Sequence, residues 1–137
     1  MPSSLSRRRF LGASSAAVAA LLVPWRNAWA GTVGPHPTPR QGITGANVLT
    51  KEQLADAPDV IPLFDSIRQI PEVVDGIRCN CGCTNPPKFY SLLSCYESDG
   101  MARHCALCQG QGKLAVRLHT EGKTLDQIRA AIDAKFG

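Results

Sequence analysis

Six cysteines lie within 30 consecutive residues of this chain, and the sequence contains no others. Three of them alternate with other residues in Cys79-Asn80-Cys81-Gly82-Cys83. Cys95 follows, and two more stand in Cys105-Ala106-Leu107-Cys108. Thiolates can bind soft metal ions, pair into disulfides or exchange disulfides with a partner. We therefore expect any thiol chemistry of this protein to occur at a single place in the fold.

The cysteine spacing favours a site for a thiophilic metal ion, zinc or copper(I). Closely spaced cysteines bring two ligands to one ion without closing a long loop. The pair Cys105-x-x-Cys108 is expected at the start of a helix, where the positive end of the helix dipole favours a thiolate. The predicted metal ligands are, in order of preference, Cys79, Cys81, Cys83, Cys105, Cys108, Cys95 and His104.

Two other interpretations of the cysteines remain open. Six is an even number, and a small exported chain could use them as a disulfide framework, each bridge stabilising it by about 2–4 kcal/mol. The protein would then be a non-catalytic, disulfide-stapled interaction module. Alternatively, Cys105 could attack a partner's disulfide and Cys108 could resolve the intermediate, which would make the protein a thiol–disulfide oxidoreductase.

The first 30 residues are predicted to be an export signal. Arg7, Arg8 and Arg9 precede Phe10 and Leu11 in a start that resembles the twin-arginine consensus. The apolar run over residues 10–23 is shorter than the roughly 20 residues that span a bilayer. A small-residue cleavage motif, Ala28-Trp29-Ala30, follows. We expect a periplasmic or otherwise extracytoplasmic protein with no stable membrane anchor after cleavage.

The charge pattern argues against a nucleic-acid partner. The first 30 residues contain four of the 15 basic residues and none of the 11 acidic ones, so the remainder is balanced. There is no basic stripe with interleaved aromatic residues. No Ser/His/Asp set, carboxylate pair or phosphate-binding glycine loop is evident, so an enzyme is not the favoured prediction.

The remaining chain is predicted to consist of a flexible leader over residues 31–48 and a mostly α-helical domain over residues 49–137. The leader is rich in Gly, Pro and Thr. In the domain, Thr50 and Gln53 form one expected capping box, and Thr124 and Gln127 form another. A helix ended by Pro58 is expected after the first box.

Further helices are predicted around the cysteines. One follows Asp59 and places Ile61, Phe64 and Ile67 on one face. Pro71 and Gly76 are expected to break the chain. Other helices are predicted from Asn85 towards residue 95, and over about residues 102–120 with Gly122 as terminator. The cysteine-rich loop is then expected to dock against helix N-termini.

The chain also resembles the PCYCGC (CYCXC) motif-containing family of exported bacterial proteins over about residues 68–137. The resemblance is carried by these motifs: Ile70-Pro71-Glu72-Val73-Val74-Asp75-Gly76-Ile77, Cys79-Asn80-Cys81-Gly82-Cys83, Cys95, His104-Cys105-Ala106-Leu107-Cys108 and Glu121-Gly122-Lys123-Thr124. Arg78 and Asn80 stand where that family usually has Pro and Tyr. This likeness supports a cysteine site in an exported protein. If that site binds metal, we also expect a partner protein that delivers or takes the metal.

A weaker likeness points to redox chemistry. The segment Arg103-His104-Cys105-Ala106-Leu107-Cys108-Gln109 is similar to the CxxCQ motif in the thiol-reductant subunit of cytochrome c maturation. That subunit is a three-helix bundle with a redox pair. The likeness implies a redox partner protein and roles for Cys105 and Cys108 in disulfide exchange.

Overall fold

The computed structural model describes residues 34–81 and 89–137, and within them the chain is a small helical domain. The α-helices are α1 (Ile61–Arg68), α2 (Pro71–Asp75), α3 (Ala106–Thr120) and α4 (Leu125–Phe136). Short 3-10 segments span Pro58–Val60, Leu93–Tyr96 and Met101–Arg103. These described ranges contain no β-strand, only a single bridge between Val48 and Glu97. The predicted mostly α fold is confirmed.

Helix α1 forms where its apolar periodicity predicts a helix. Its buried side chains are Leu63, Phe64 and Ile67, while Ile61 at its first position is half-buried. The spacing of three and four residues places the buried side chains on one face of the helix. Phe64 meets the ring of Tyr96 edge-on, with the ring centroids 4.8 Å apart. Helix α1 thereby packs against the 3-10 segment that carries Cys95.

Helix α2 was not expected, because Pro71 was interpreted as a break. Pro71 instead stands at the start of a five-residue helix that buries Val74 and Asp75. Proline suits the first helical turn, since its fixed φ is helical and its missing N–H would have had no partner there. The helix ends at Gly76, three residues before Cys79, so it leads the chain directly into the cysteine segment.

Helix α3 begins at Ala106, about one turn later than predicted. Met101–Arg103 forms a separate 3-10 turn, and Cys105 has extended backbone at the N-cap position. The Cys105 Sγ accepts a hydrogen bond from the Cys108 N–H at 3.4 Å. A sulfur atom thus performs the capping that an oxygen usually performs.

Helix α3 ends and helix α4 begins where the sequence predicts. Gly122 follows α3 with a positive φ of 79°, a conformation that glycine adopts without strain. The capping box is present: the Gln127 N–H donates to Thr124 Oγ1 at 3.3 Å, and the Thr124 N–H donates to Gln127 Oε1 at 3.0 Å. Ile128 and Ile132 are the buried residues of α4.

Two other predicted helices differ from the structure. The Thr50 N–H donates to Gln53 Oε1 at 2.9 Å, yet residues 51–56 form turns rather than a helix. The stretch before Pro58 is too short to repay the cost of nucleating a helix. The start of the helix predicted from Asn85 lies outside the described residues. In the described part of that stretch, residues 89–92 are not helical and Leu93–Tyr96 is a 3-10 segment.

The leader differs from its expected flexible form, because residues 34–48 lie against the helical domain. Arg40 pairs with the buried Asp75, with 2.8 Å between Arg40 Nη2 and Asp75 Oδ1. Arg129 of α4 donates hydrogen bonds to the carbonyl oxygens of Pro37 and Gly76, both at 2.8 Å. These contacts are made by single polar side chains. They could not be predicted from the sequence, because the leader shows no hydrophobic periodicity.

The hydrophobic core joins all these elements and contains cysteines. The buried apolar residues are Val48, Leu49, Leu54, Leu63, Phe64, Ile67, Val74, Ile77, Cys79, Leu92, Leu93, Cys95, Tyr96, Ala102, Cys108, Leu114, Ala115, Ile128 and Ile132. Three sulfur-bearing side chains are therefore packed among aliphatic and aromatic groups.

Candidate metal centre

Three cysteines from two separate parts of the sequence meet in one place. The Sγ atoms of Cys79, Cys81 and Cys108 all lie within 4.8 Å of one another, and we call this group the sulfur triad. The Cys79 and Cys108 Sγ atoms are 3.4 Å apart. A disulfide would need about 2.05 Å, whereas thiolates that share a zinc ion at about 2.3 Å are roughly 3.5–4 Å apart. The triad therefore has a spacing close to that of metal ligands.

A disulfide framework is not found among the described cysteines. None of Cys79, Cys81, Cys95, Cys105 and Cys108 is joined to another by an S–S bond. Cys83 lies outside the described residues, so its predicted role as a ligand stays a prediction.

Secondary structure brings the triad together. Cys79 follows α2 after a short connection in which the Ile77 carbonyl accepts the Leu92 N–H at 2.7 Å. Cys108 lies in the first turn of α3, where its carbonyl oxygen accepts a hydrogen bond from the Tyr96 hydroxyl at 2.7 Å. The Tyr96 contact ties the start of α3 to the 3-10 segment beneath it.

Gln111 is a buried polar residue at the site that sequence reasoning missed. Its Oε1 accepts the Asn80 N–H at 3.2 Å, and its Nε2 is 3.9 Å from Cys79 Sγ as a hydrogen-bond donor. It lies three residues after Cys108, and this spacing places both side chains on one face of α3. That periodicity is the only sequence signal that could have found it.

Hydrogen bonding among the sulfurs concentrates negative charge on Cys79. Hydrogen bonds from Cys108 and Cys95 lower the pKa of the Cys79 thiol well below its usual value, although burial opposes them. The hydrogen bond to Cys79 is the main cause that raises the pKa of Cys108, followed by the bond to Cys95 and by burial. Within the pair of Cys79 and Cys108, the negative charge is therefore favoured on Cys79 and the proton on Cys108.

Cys95 and Cys105 lie next to the triad and differ in burial and in the direction of their pKa shifts. For Cys95, the hydrogen bond to Cys108 lowers the pKa, but the bond to Cys79 and burial outweigh it and the net pKa is raised. For Cys105, burial raises the pKa, but the backbone N–H groups of Cys108 and Leu107 and the Cys108 thiol together lower it. Cys95 is fully buried, whereas Cys105 is half-exposed.

His104 lies apart from the triad. Its side chain is 69% exposed, and its Nε2 is 3.6 Å from Asp56 Oδ2. The group of three sulfurs does not include it. In the structure, Cys79, Cys81 and Cys108 lie together, and Cys95 and Cys105 lie next to them. His104 instead contacts the carboxylate of Asp56. The ligand role of His104 stays a prediction.

Comparison of the chain with protein-family models, curated proteins and solved structures found no match. The resemblance to the PCYCGC family therefore stays an expectation. In the described part of the chain, no helix has the length and apolar character needed to cross a membrane.

Proposed function

We propose that this protein is an exported metal-handling protein whose cysteine cluster binds zinc or copper(I). The observation that carries the proposal is the sulfur triad, whose three Sγ atoms lie within 4.8 Å of one another. The twin-arginine-like start and the likeness to an exported cysteine-motif family support the proposed location outside the cytoplasm. They also support a partner protein that supplies or removes the metal.

The chemistry of the donor set favours soft ions. Thiolates select zinc and copper(I), whereas magnesium and calcium prefer oxygen ligands. The triad would supply three ligands, and a tetrahedral zinc ion takes one more. Burial of Cys79 and Cys108 keeps water away from the ion and strengthens its attraction to the thiolates.

A metal titration of the full chain and of the Cys108→Ser variant tests the proposal. We expect the wild-type chain, purified under reducing conditions, to retain stoichiometric zinc or copper(I) against a competing chromophoric chelator. We expect Cys108→Ser to bind at least about tenfold more weakly, because a buried serine hydroxyl is a poor ligand for a soft ion. The measurements are metal analysis and free-thiol counting on the same sample.

The control is His104→Ala, since this side chain lies outside the triad and contacts Asp56. We expect it to bind metal as the wild type does. A wild-type chain that binds no metal, or a Cys108→Ser variant with undiminished affinity, would contradict the proposal.

Disulfide exchange is a second candidate function, favoured by the position of Cys105. This residue is half-exposed at the N-cap of α3, and its pKa is lowered. Its thiolate would attack a partner disulfide, forming a mixed disulfide and releasing one partner thiolate. Cys108 would then attack the Cys105 sulfur and release the second partner thiolate, so two electrons pass to the partner. Metal-free protein that forms one labile Cys105–Cys108 disulfide once the reductant is removed would favour this function.

A further inference from the structure

We propose that Cys105 is the thiol through which a metal ion enters and leaves the cluster, and that it is a transfer ligand rather than a resident one. This inference rests on the proposed metal function. It assigns distinct roles to two cysteines that the sequence presents as an equivalent pair.

The inner side of the cluster is closed to solvent. Cys79 is 2% exposed and Cys108 is 0% exposed. Three neighbours of these two cysteines are also fully buried, namely Cys95, Tyr96 and Gln111. An arriving ion therefore cannot make its first bond to any of these side chains.

Cys105 lies between this closed interior and the surface. Its side chain is half-exposed, and its Sγ is 3.4 Å from the backbone nitrogen of Cys108. Cys81 is half-exposed as well, but it belongs to the sulfur triad and is therefore assigned to the resident set. Among the described cysteines that do not belong to the triad, Cys105 is the one whose side chain is partly exposed.

The surface next to Cys105 suits the approach of a metal donor. Met101 is 47% exposed and Leu107 is 45% exposed, and both are unusually accessible for large apolar side chains. They lie four residues before and two residues after Cys105. The backbone at Cys105 is held in place, because its N–H donates to the Met101 carbonyl at 2.9 Å. A donor that presents thiolates could therefore reach a fixed sulfur atom.

The transfer would proceed by ligand exchange without a change of oxidation state. The Cys105 sulfur bonds to an ion held by the donor's thiolates, one donor metal–sulfur bond breaks, and that donor sulfur takes the proton released by Cys105. The Cys108 sulfur then displaces Cys105 from the ion and passes its proton to the Cys105 sulfur. The sulfurs of Cys79 and Cys81 displace the donor's remaining thiolates, and each departing donor sulfur takes any proton that the incoming sulfur releases. No electrons leave either protein.

The test compares the rate and the equilibrium of metal binding in the Cys105→Ser full chain. Serine keeps an acceptor at the N-cap, so α3 should form normally, and circular dichroism checks this. The metal is supplied as its complex with glutathione. We expect unchanged equilibrium affinity and transfer slowed by about tenfold or more, equivalent to a barrier higher by about 1.4 kcal/mol.

The comparison variant is Cys81→Ser, which removes the half-exposed triad thiol and should weaken equilibrium binding. A Cys105→Ser chain that loses as much affinity as Cys108→Ser would show that Cys105 is a resident ligand and would overturn the proposal. An unchanged transfer rate would overturn it too. If the wild-type chain binds no metal, it is the metal function that fails, so the two failures are distinguishable.

Discussion

The sulfur of Cys79 is held by a small set of individual contacts. Cys108 lies at 3.4 Å, and the amide of Gln111 approaches from α3 while also accepting the Asn80 N–H. Gln111 thus connects the chain around Cys79 to the helix that carries Cys108. Its side chain orients the triad without being a metal ligand.

We predict that Gln111→Leu destabilises the fold and weakens metal binding. Leucine fills a similar volume but leaves the Asn80 N–H without its acceptor, which costs about 1–3 kcal/mol. The free energy of unfolding in urea, measured without metal, gives the structural effect. Metal affinity from chelator competition gives the effect on the site.

Lys113→Ala is the matched control, because Lys113 is an exposed residue on the same helix. It should change neither quantity appreciably. Equal unfolding free energies for Gln111→Leu and the wild type would refute a structural role for this amide.

The residue types of the candidate site could be predicted from sequence, but their supporting contacts could not. Cys79, Cys81 and Cys108 were all named because few residue types bind soft metals. Gln111 and the Tyr96 hydroxyl were missed, since each acts through a partner that is distant in sequence or on another element. Only the three-dimensional packing reveals which amide or hydroxyl is buried.

Among the elements, α3 depends on a close approach by Tyr96. A Cβ atom placed at Gly112 would collide with the Tyr96 hydroxyl and lie 2.9 Å from its Cζ. A glycine within a helix ordinarily weakens that helix. The structure shows that its missing side chain makes room for the ring that anchors Cys108.

We predict that Gly112→Ala destabilises the protein by about 1–3 kcal/mol, because overpacking outweighs the better helix propensity of alanine. Adding Tyr96→Phe should recover part of this lost stability, since it removes the hydroxyl oxygen that would collide with the new Cβ atom. Thermal unfolding of the single and double variants measures the coupling.

Gly110→Ala serves as the comparison on the same helix. There the nearest atoms are ring carbons of the half-buried Phe136 at 3.1 Å, so the ring can move and the effect should be smaller. Equal losses at Gly110 and Gly112 would argue against a specific conflict with Tyr96.

Helices with an apolar face or a capping box were predictable, whereas α2 was not. Helix α1 shows helical spacing of Phe64 and Ile67, and α4 has Thr124 and Gln127 at its start. Helix α2 has only five residues and is too short for a periodic signal. It is stabilised by the burial of Val74 and by contacts of Asp75 with the leader, which local sequence does not show.

At the scale of the whole molecule, a buried carboxylate joins the leader to the domain. Asp75 accepts hydrogen bonds from the Arg40 N–H at 2.7 Å, from the Arg40 guanidinium and from the Ser91 hydroxyl at 2.7 Å. Burial raises the pKa of Asp75, but the hydrogen bonds from Arg40 and Ser91 outweigh it and the net pKa is lowered.

We predict that Asp75→Asn destabilises the protein at neutral pH by about 1–3 kcal/mol, because the charged hydrogen bonds are lost. A lowered folded-state pKa means that ionised Asp75 contributes stability above its unfolded pKa of about 3.9 and loses it as the pH falls through the folded value. The difference in the free energy of unfolding between wild type and variant should therefore be constant near pH 5–7 and shrink below about pH 4. Urea unfolding at each pH measures it.

Asp65→Asn is the control, since Asp65 is 58% exposed and pairs with Arg68 on the same helix. An exposed pair contributes at most about 1 kcal/mol, so its loss should have little effect. A gap for Asp75→Asn that grows towards acidic pH would refute the assigned charge state.

Because Cys79 and Cys108 of the sulfur triad are part of the hydrophobic core, an ion bound by the triad would stabilise the folded chain as a whole. Binding to the folded state alone lowers the population of opened molecules in proportion to occupancy. Proteases digest those opened molecules, so the lifetime of the chain would lengthen when the metal is abundant and shorten when it is scarce. The amount of the protein would then rise and fall with the concentration of the metal that it binds, without any dedicated sensor.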